Sequence, residues 1–273
     1  MKLRTFIALF CAAASLLTVP ATSQVTAQDR THDRSEMRDK DKGDWPERDE
    51  FRQSYQLAPG ATVEVRNMNG PLEIETTSGN TAEVYVVRTA RTKADLEYRK
   101  VIVENTATSL RVYTEEPPEE ARNNAHVRHR AILRLPRPSE LTVKNINGNA
   151  RVGEVDGPVH LGNINGNLEV AHAASFAELN NINGNAGITI ERLSERGIQM
   201  RHVNGNINLQ FLDNVNADLD VTMFNGIVNS NLSNMSGQKV DRSSYRGQIG
   251  AGGSPISGSH INGVITIRGA GER

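Results

Sequence analysis

The sequence has few cysteine and aromatic residues, which form disulfides and stacking surfaces in many small secreted proteins. It contains one cysteine, Cys11, and one tryptophan, and aromatic residues make up 4% of its 273 residues. A disulfide needs two cysteines, so no bridge can form within the chain and its stability has to come from packing. The shortage of aromatic rings leaves few surfaces on which sugars or bases could stack. This disfavours a lectin-like cleft and the binding of single-stranded nucleic acid.

The chain also has no excess of charge of either sign. It carries 31 Lys and Arg residues against 32 Asp and Glu residues, for a formal net charge of −1. A balance this close predicts neither nucleic acid nor an anionic membrane as a partner.

The long apolar run of the sequence lies at its N-terminus. Residues 5–19 are mostly apolar, follow Lys2 and Arg4, and precede small residues at 25–27. This pattern predicts a secretory signal peptide over residues 1–27, and the run is too short to be taken as a membrane-spanning helix. We therefore expect an extracytoplasmic mature chain without a transmembrane segment, located in the bacterial periplasm, at the cell surface or in the medium.

Two segments precede the regular part of the chain. Residues 28–50 are densely charged with interleaved signs and few apolar residues, which predicts a disordered linker. Residues 51–140 are predicted to form irregular, β-rich N-terminal coils that cap the regular part, with a helical turn at 93–99. The strand-like runs in this segment lie at 83–88, 100–104, 109–113 and 130–135.

The chain is rich in asparagine-glycine pairs. They recur with steps of 18, 18, 21 and 21 residues between successive glycines. The pairs are Asn147-Gly148, Asn165-Gly166, Asn183-Gly184, Asn204-Gly205 and Asn225-Gly226. A period near twenty residues is typical of a stacked repeat array.

Apolar residues occupy constant places around these pairs. They stand one, four and six residues before each Asn, and two and four residues after each Gly, apart from Ser230. The column directly before the Asn contains Ile146, Ile164, Ile182, Val203 and Phe224. Apolar positions two apart are the period of a strand with one buried face, so each repeat is predicted to hold two short strands. Because Asn and Gly accept left-handed backbone conformations, the pair is predicted to form the turn between them.

Two all-β architectures fit this pattern. Asn-Gly is the strongest short signal for a β-hairpin, so a meander of hairpins is one of them. The other is a parallel β-solenoid, a stack of 18–21-residue coils over residues 141–273 whose last coil is frayed. We favour the solenoid because the coil length is constant and Asn-Gly occurs once per two strands. Parallel stacking would also let Asn145, Asn163 and Asn181 bond to one another along the stack.

A segment outside the regular part fits the same template. Residues 57–76 contain Asn69-Gly70, with Met68 before the turn and apolar residues at the other inward places. Together with the signal peptide, the repeats resemble the bacterial putative-adhesin family, a domain of unknown function found in β-strand-repeat envelope proteins. The matching motifs are VEVRNMNGPLEIE at 63–75, NINGNA at 145–150, NINGNL at 163–168, NINGNA at 181–186 and VNGNINL at 203–209. The resemblance covers roughly residues 57–268. It implies an extracytoplasmic β-solenoid and brings no set of catalytic residues with it.

The residues between the apolar columns do not assemble a catalytic or metal-binding pattern. The outward position three after each Gly holds Arg151, Glu169, Gly187, Asn208 and Asn229, so carboxylates do not gather there. No GGxGxD repeat for calcium and no GxSxG nucleophile motif is present. His126 and His129 are three residues apart, and a strand would point them to opposite faces. We predict no catalytic, cofactor or metal site.

One polar feature remains, an amide row of asparagines directly after the turn glycines. Its members are Asn149, Asn167, Asn185 and Asn206. The row is either a stripe that binds a glycan or a partner, or a set of side chains that satisfy backbone groups of the turns, and turn chemistry favours the second interpretation.

The sequence as a whole predicts a non-enzymatic secreted or cell-envelope protein with an adhesin-like or scaffolding role. The expected partner is a surface glycan or an envelope protein. The alternatives are a polysaccharide-processing β-helix enzyme and a self-assembling structural envelope protein.

Overall fold

The computed structural model describes residues 45–119, 126–241 and 243–269. The predicted signal peptide and most of the predicted linker lie outside these residues. The strands are β1 (Glu47–Gln56), β2 (Thr62–Asn69), β3 (Leu72–Thr77), β4 (Thr81–Ala90), β5 (Val101–Thr106), β6 (Ser109–Thr114), β7 (Val127–Pro136), β8 (Glu140–Asn147), β9 (Ala150–Val155), β10 (Val159–Asn165), β11 (Leu168–Ala173), β12 (Ala177–Asn183), β13 (Ala186–Ile190), β14 (Ile198–Asn204), β15 (Ile207–Phe211), β16 (Ala217–Ser230), β17 (Met235–Lys239), β18 (Ser244–Ile249) and β19 (Ser254–Arg268). One helix, α1 (Lys93–Tyr98), matches the predicted helical turn and begins at a Thr92 capping box.

All of these strands belong to one sheet, so the predicted all-β class is confirmed. The sheet is barrel-like and nearly closed, and one continuous core lies on its inner face. The predicted parallel solenoid over residues 141–273 is not confirmed, because antiparallel strands occur in its C-terminal part and one strand is inserted out of sequence order.

Within the regular repeats, strands at equal places in successive repeats pair in parallel. We call the two strands on either side of one Asn-Gly turn a rung. In the first strands of the rungs, Ile146 is in register with Ile164, and Ile164 with Ile182. Each of these side chains is 1% exposed. The second strands follow the same register, from β9 through β11 and β13 to β15. Four rungs therefore share one core, which no single rung could bury alone.

The N-terminal part of the chain completes one end of this array. The Asn69-Gly70 rung, β2 and β3, pairs in parallel with β8 and β9, with Met68 in register with Ile146. Beyond it lie the β5–β6 hairpin and the antiparallel set β7, β4 and β1. β1 begins at Glu47, inside the segment predicted as a linker, so folded structure starts before Phe51. Strands overlap all four runs predicted in this segment.

The C-terminal part differs from the prediction of a frayed last coil. β19 lies between the β14–β15 rung and β16, and it pairs in parallel with all three strands. Asn262-Gly263 therefore takes the place next to Asn204-Gly205 that was predicted for Asn225-Gly226. Its inward residues Ile256, Ile261, Ile265 and Ile267 are fully buried. β19 has isoleucine at four of its inward places and Gly258 at a fifth, and it is flanked by paired strands on both sides.

The predicted inward column also fails at Phe224. This side chain is 87% exposed, while its neighbour Met223 is 5% exposed. The register between β16 and β19 shifts on both sides of Met223, which is in register with Ile261. In the other rungs, the residue two before the Asn has a left-handed φ, which turns the residue directly before the Asn towards the core. Met223 has no such φ, so the side chains of β16 keep alternating, with Met223 inward and the next residue outward. Phe224 therefore faces solvent.

The turn glycines allow the rungs to approach one another closely. A Cβ added to Gly166 would lie 2.3 Å from the carbonyl oxygen of Gly148 in the adjacent rung. The corresponding distances are 2.4 Å for Gly148 to Gly70, 2.3 Å for Gly184 to Gly166, and 2.2 Å for Gly205 to Gly184. Each contact is with backbone, which cannot swing away as a side chain could.

We expect Gly166→Ala to lower the free energy of unfolding by about 2 kcal/mol or more, because the added methyl group has to push two rungs apart. Gly187→Ala is the matched control, since a Cβ on Gly187 meets nothing within 4 Å. Chemical denaturation of both variants checks this. Equal stabilities would contradict the close-contact account of the turns.

Candidate functional site

The outer side of the turns carries columns of asparagine side chains that bond from rung to rung. The first asparagine column consists of Asn67, Asn145, Asn163 and Asn181. Each later Nδ2 donates to the preceding Oδ1 over 2.9 Å, which confirms the predicted bonding along the stack. These residues have φ of 54° to 61°, a left-handed conformation that Asn tolerates better than most side chains. His202 and His260 occupy the same place in the next two rungs, with stacked rings 4.8 Å apart.

The second asparagine column lies at the turns themselves. Its Nδ2-to-Oδ1 bonds measure 3.0 to 3.2 Å. The members are Asn69, Asn147, Asn165, Asn183, Asn204 and Asn262. The prediction placed Asn225 as the last member of this ladder, but β19 supplies Asn262 there and Asn225 is in register one strand further out.

The amide row has its own contacts. The Oδ1 atoms of Asn149, Asn167 and Asn185 accept from the backbone N–H of Asn167, Asn185 and Asn206 over 2.9, 3.1 and 3.0 Å. The Oδ1 of Asn206 accepts from the N–H of Val264 over 3.1 Å. In these contacts the asparagine side chains satisfy backbone N–H groups, as the second of the two interpretations of the row describes. A binding role for the exposed row stays a prediction.

Replacing Asn165 with Ala removes one bond donated to Asn147 and one accepted from Asn183. We expect the free energy of unfolding to fall by about 1 to 2 kcal/mol, at about 1 kcal/mol for each bond. The control is Asn208→Ala, the same change at an exposed outward position outside the columns. Thermal unfolding that shows equal losses for the two variants would mean that the column adds nothing to stability.

A polar groove of about 450 Å³ opens on the outward face of β8, β10 and β12. Gly162 lines it on the middle strand, β10, in register with Lys144 and Asn180, and its lack of a side chain leaves room there. Its polar lining consists of Glu140, Thr142, Lys144, His160, Asn163, Glu178, Asn180 and Asn181. The groove therefore borders the first asparagine column, and three adjacent strands supply its side chains.

His160 lies between two carboxylates at one end of the polar groove. Its Nδ1 is 2.9 Å from Oε2 of Glu178, and its Nε2 is 3.8 Å from Oε1 of Glu140. Behind it the ring of Phe176 lies at a centroid distance of 5.5 Å, and the guanidinium of Arg196 packs on that ring at 3.9 Å. The imidazole is thus held from three directions, and the two carboxylates remain partly exposed.

Sequence reasoning missed the polar groove. It compared only the outward position after each Gly. His160 and Glu178 both stand five residues before the Asn of a turn, one 18-residue step apart. Comparing the outward positions before the turns would have placed these two side chains side by side.

His129 has a structural place at the end of the asparagine columns. It is 2% exposed, and its Nδ1 accepts from the backbone N–H of Asn69 over 3.0 Å. Among the described residues, no group of three or more His, Cys, Asp or Glu side chains is arranged to hold a metal ion. Burial, followed by the positive charges of Arg99 and Arg88, lowers the pKa of His129 from its ordinary value to about 3.

This lowered pKa makes stability depend on pH. Below about pH 6.5 the unfolded chain protonates His129, whereas the folded chain does so only near pH 3. The free energy of unfolding should therefore fall by about 1.4 kcal/mol per pH unit from this residue as the pH drops through that window. We expect His129→Gln to flatten the dependence, because an amide oxygen can accept from Asn69 without titrating. Urea titrations between pH 7 and 4 measure the pH dependence of the free energy of unfolding, with the exposed His126→Gln as control. A slope unchanged in His129→Gln would rule out His129 as its source.

In the part of the chain that the structure describes, no helix is long and apolar enough to cross a membrane. No family model and no curated protein matches the sequence.

Solved structures do show similarity to the chain. A putative cell adhesion protein from Clostridium sporogenes is 12% identical, with a TM-score of 0.46 over 82% of this chain and 100% of that one. A putative adhesin from Bacteroides fragilis is 10% identical, with a TM-score of 0.27 over 82% and 98% of the two chains. A third, from Parabacteroides merdae, is 9% identical, with a TM-score of 0.26 over 81% and 95%. The names of these structures agree with the family resemblance of the repeats.

Proposed function

We propose that this protein is a non-enzymatic, adhesin-like protein of the cell envelope or cell surface that binds a polar glycan in the polar groove at Gly162. The observation that carries the proposal is the convergence of carboxylate, imidazole, amide and ammonium groups on one open depression. Sugar hydroxyls both donate and accept hydrogen bonds. Carboxylates accept such bonds, the ammonium group of Lys144 donates them, and amides do both.

The way the polar groove is built favours binding without large rearrangement. Its side chains project from β8, β10 and β12, whose backbones pair in register, and the first asparagine column bonds the same rungs at the turn. Ordering a flexible site reduces affinity, so a site whose groups are already held binds more tightly for the same contacts.

The repeats and the start of the chain support the location and the architecture. We infer that the regular rungs are coils of a short parallel solenoid built into the larger sheet, supported by the in-register pairs from β8 to β15. The predicted signal peptide supports export, and an envelope or surface location would bring the polar groove into contact with glycans.

Filling the groove tests its role. A Cβ on Gly162 would lie 3.6 Å from the carbonyl oxygen of Asn180 and 3.7 Å from Cγ of Lys144, which is ordinary contact, so Gly162→Leu should fold and occupy the space. Gly187→Leu, on β13, makes the same change where a Cβ meets nothing within 4 Å.

On an array of bacterial-envelope and host glycans, we expect the wild type and Gly187→Leu to bind the same glycan. Gly162→Leu should lose at least about tenfold in affinity, which corresponds to about 1.4 kcal/mol. An array without any bound glycan, or equal binding by both leucine variants, would contradict the proposal.

A second candidate function rests on the two carboxylates that flank His160. Glu140 and Glu178 approach the imidazole from different strands, and paired carboxylates on either side of a sugar are the usual machinery of glycoside hydrolysis. New reducing ends released from the bound glycan, and lost in Glu178→Gln, would favour this candidate over the non-enzymatic one.

A further inference from the structure

The sheet has four outer edges of five or more residues within the described residues. Three are the strands β1, β5 and β17, each of which pairs with one neighbouring strand. The fourth is the second half of β16. Residues 217–222 of β16 pair with β18 on one side and β19 on the other, whereas residues 223–230 are in register with β19 alone. On the β18 side, the backbone N–H of Met223 still donates to the carbonyl oxygen of Ser243. We call residues 223–230 the uncharged edge.

Charge separates this edge from the other three. β1 carries five charged side chains, β5 carries Glu104, and β17 carries Lys239. The uncharged edge reads MFNGIVNS, with no charged residue and no proline. Charges and prolines on edge strands are what prevent pairing with other chains, and this edge has neither.

The uncharged edge also exposes apolar side chains. Phe224 is 87% exposed and Ile227 is 52% exposed, and both belong to the small set of large apolar side chains that the described residues leave exposed. Val228, between them and the end of the strand, packs partly against the core. Ile227 thus stands on the outward face of a strand whose inward face is held in place.

We propose that the uncharged edge pairs with the same edge of a second copy of this chain, antiparallel and about a two-fold axis at Ile227. Side chains two apart share a face, so this axis places the two copies of Ile227 opposite each other. It also places Asn225 of each copy opposite Asn229 of the other. The result is an apolar pair flanked by two amide pairs, which extends the sheet from one subunit into the next.

Self-complementarity indicates that the partner of the uncharged edge is a second copy of this chain. In a two-fold contact the same patch meets itself, so a strand with a single charge brings two like charges near the axis. β5 carries one such charge, Glu104, whereas the uncharged edge pairs with itself without repulsion. The proposal goes beyond glycan binding and does not depend on it, although two subunits would present two copies of the groove.

Sedimentation velocity over a wide range of protein concentration tests the pairing. We expect the wild type to pass from monomer to dimer as concentration rises, and Ile227→Lys to remain monomeric. Val240→Lys, which adds the same charge at an apolar side chain 49% exposed outside the edge, should dimerise like the wild type. Melting temperatures of the two lysine variants should agree, since both positions are exposed.

A cross-link tests the position of the axis. In a chain with Cys11→Ser, we expect Ile227→Cys to form a covalent dimer under a mild added oxidant, and Val240→Cys to stay monomeric. A wild type that is monomeric at all concentrations, or a dimer that survives Ile227→Lys, would overturn the proposal. So would a series of higher oligomers, because it would show a contact between unlike surfaces.

Discussion

The close stacking of backbone at the Asn-Gly turns is the constraint on which the rest of this structure depends. Adjacent turns lie so near that the carbonyl oxygen of one glycine occupies the place of a side chain on the next. That contact keeps the strands on both sides of the turn in register. With the register set, the apolar columns face one core and the asparagine side chains outside the turn line up to bond.

The same register creates the candidate site and the candidate interface. The polar groove exists because His160, Glu178 and Lys144 project from neighbouring strands at a place where Gly162 has no side chain. The uncharged edge exists because β16 departs from the regular pattern at Met223, which lacks the left-handed φ of the other rungs and so leaves Phe224 exposed. One surface thus arises where the repeat is kept and the other where it is broken.

Particular residues show how far the sequence could be interpreted. Ile146, Ile164 and Ile182 were expected to share a column, and their backbones are in register. Asn163 and Asn181 were expected to bond along the stack, and they do. The polar groove was missed because only the outward positions after the turns were compared, whereas His160 and Glu178 stand before them. Phe224 was misplaced because β16 lacks the left-handed residue that turns the residue before the Asn inward in the other rungs.

In the regular rungs, the sequence alone determined which residues turn, which face the core and which bond along the columns. These properties are local, because a strand alternates its side chains with period two and Asn-Gly lowers the cost of a left-handed turn. Only the tertiary structure decided the order of the strands, with β19 between the last regular rung and β16. Several strands of this chain carry nearly the same inward pattern. Which of these strands become neighbours depends on competition among distant segments for the same sheet edge. Repeats with nearly identical sequences do not specify the outcome of that competition.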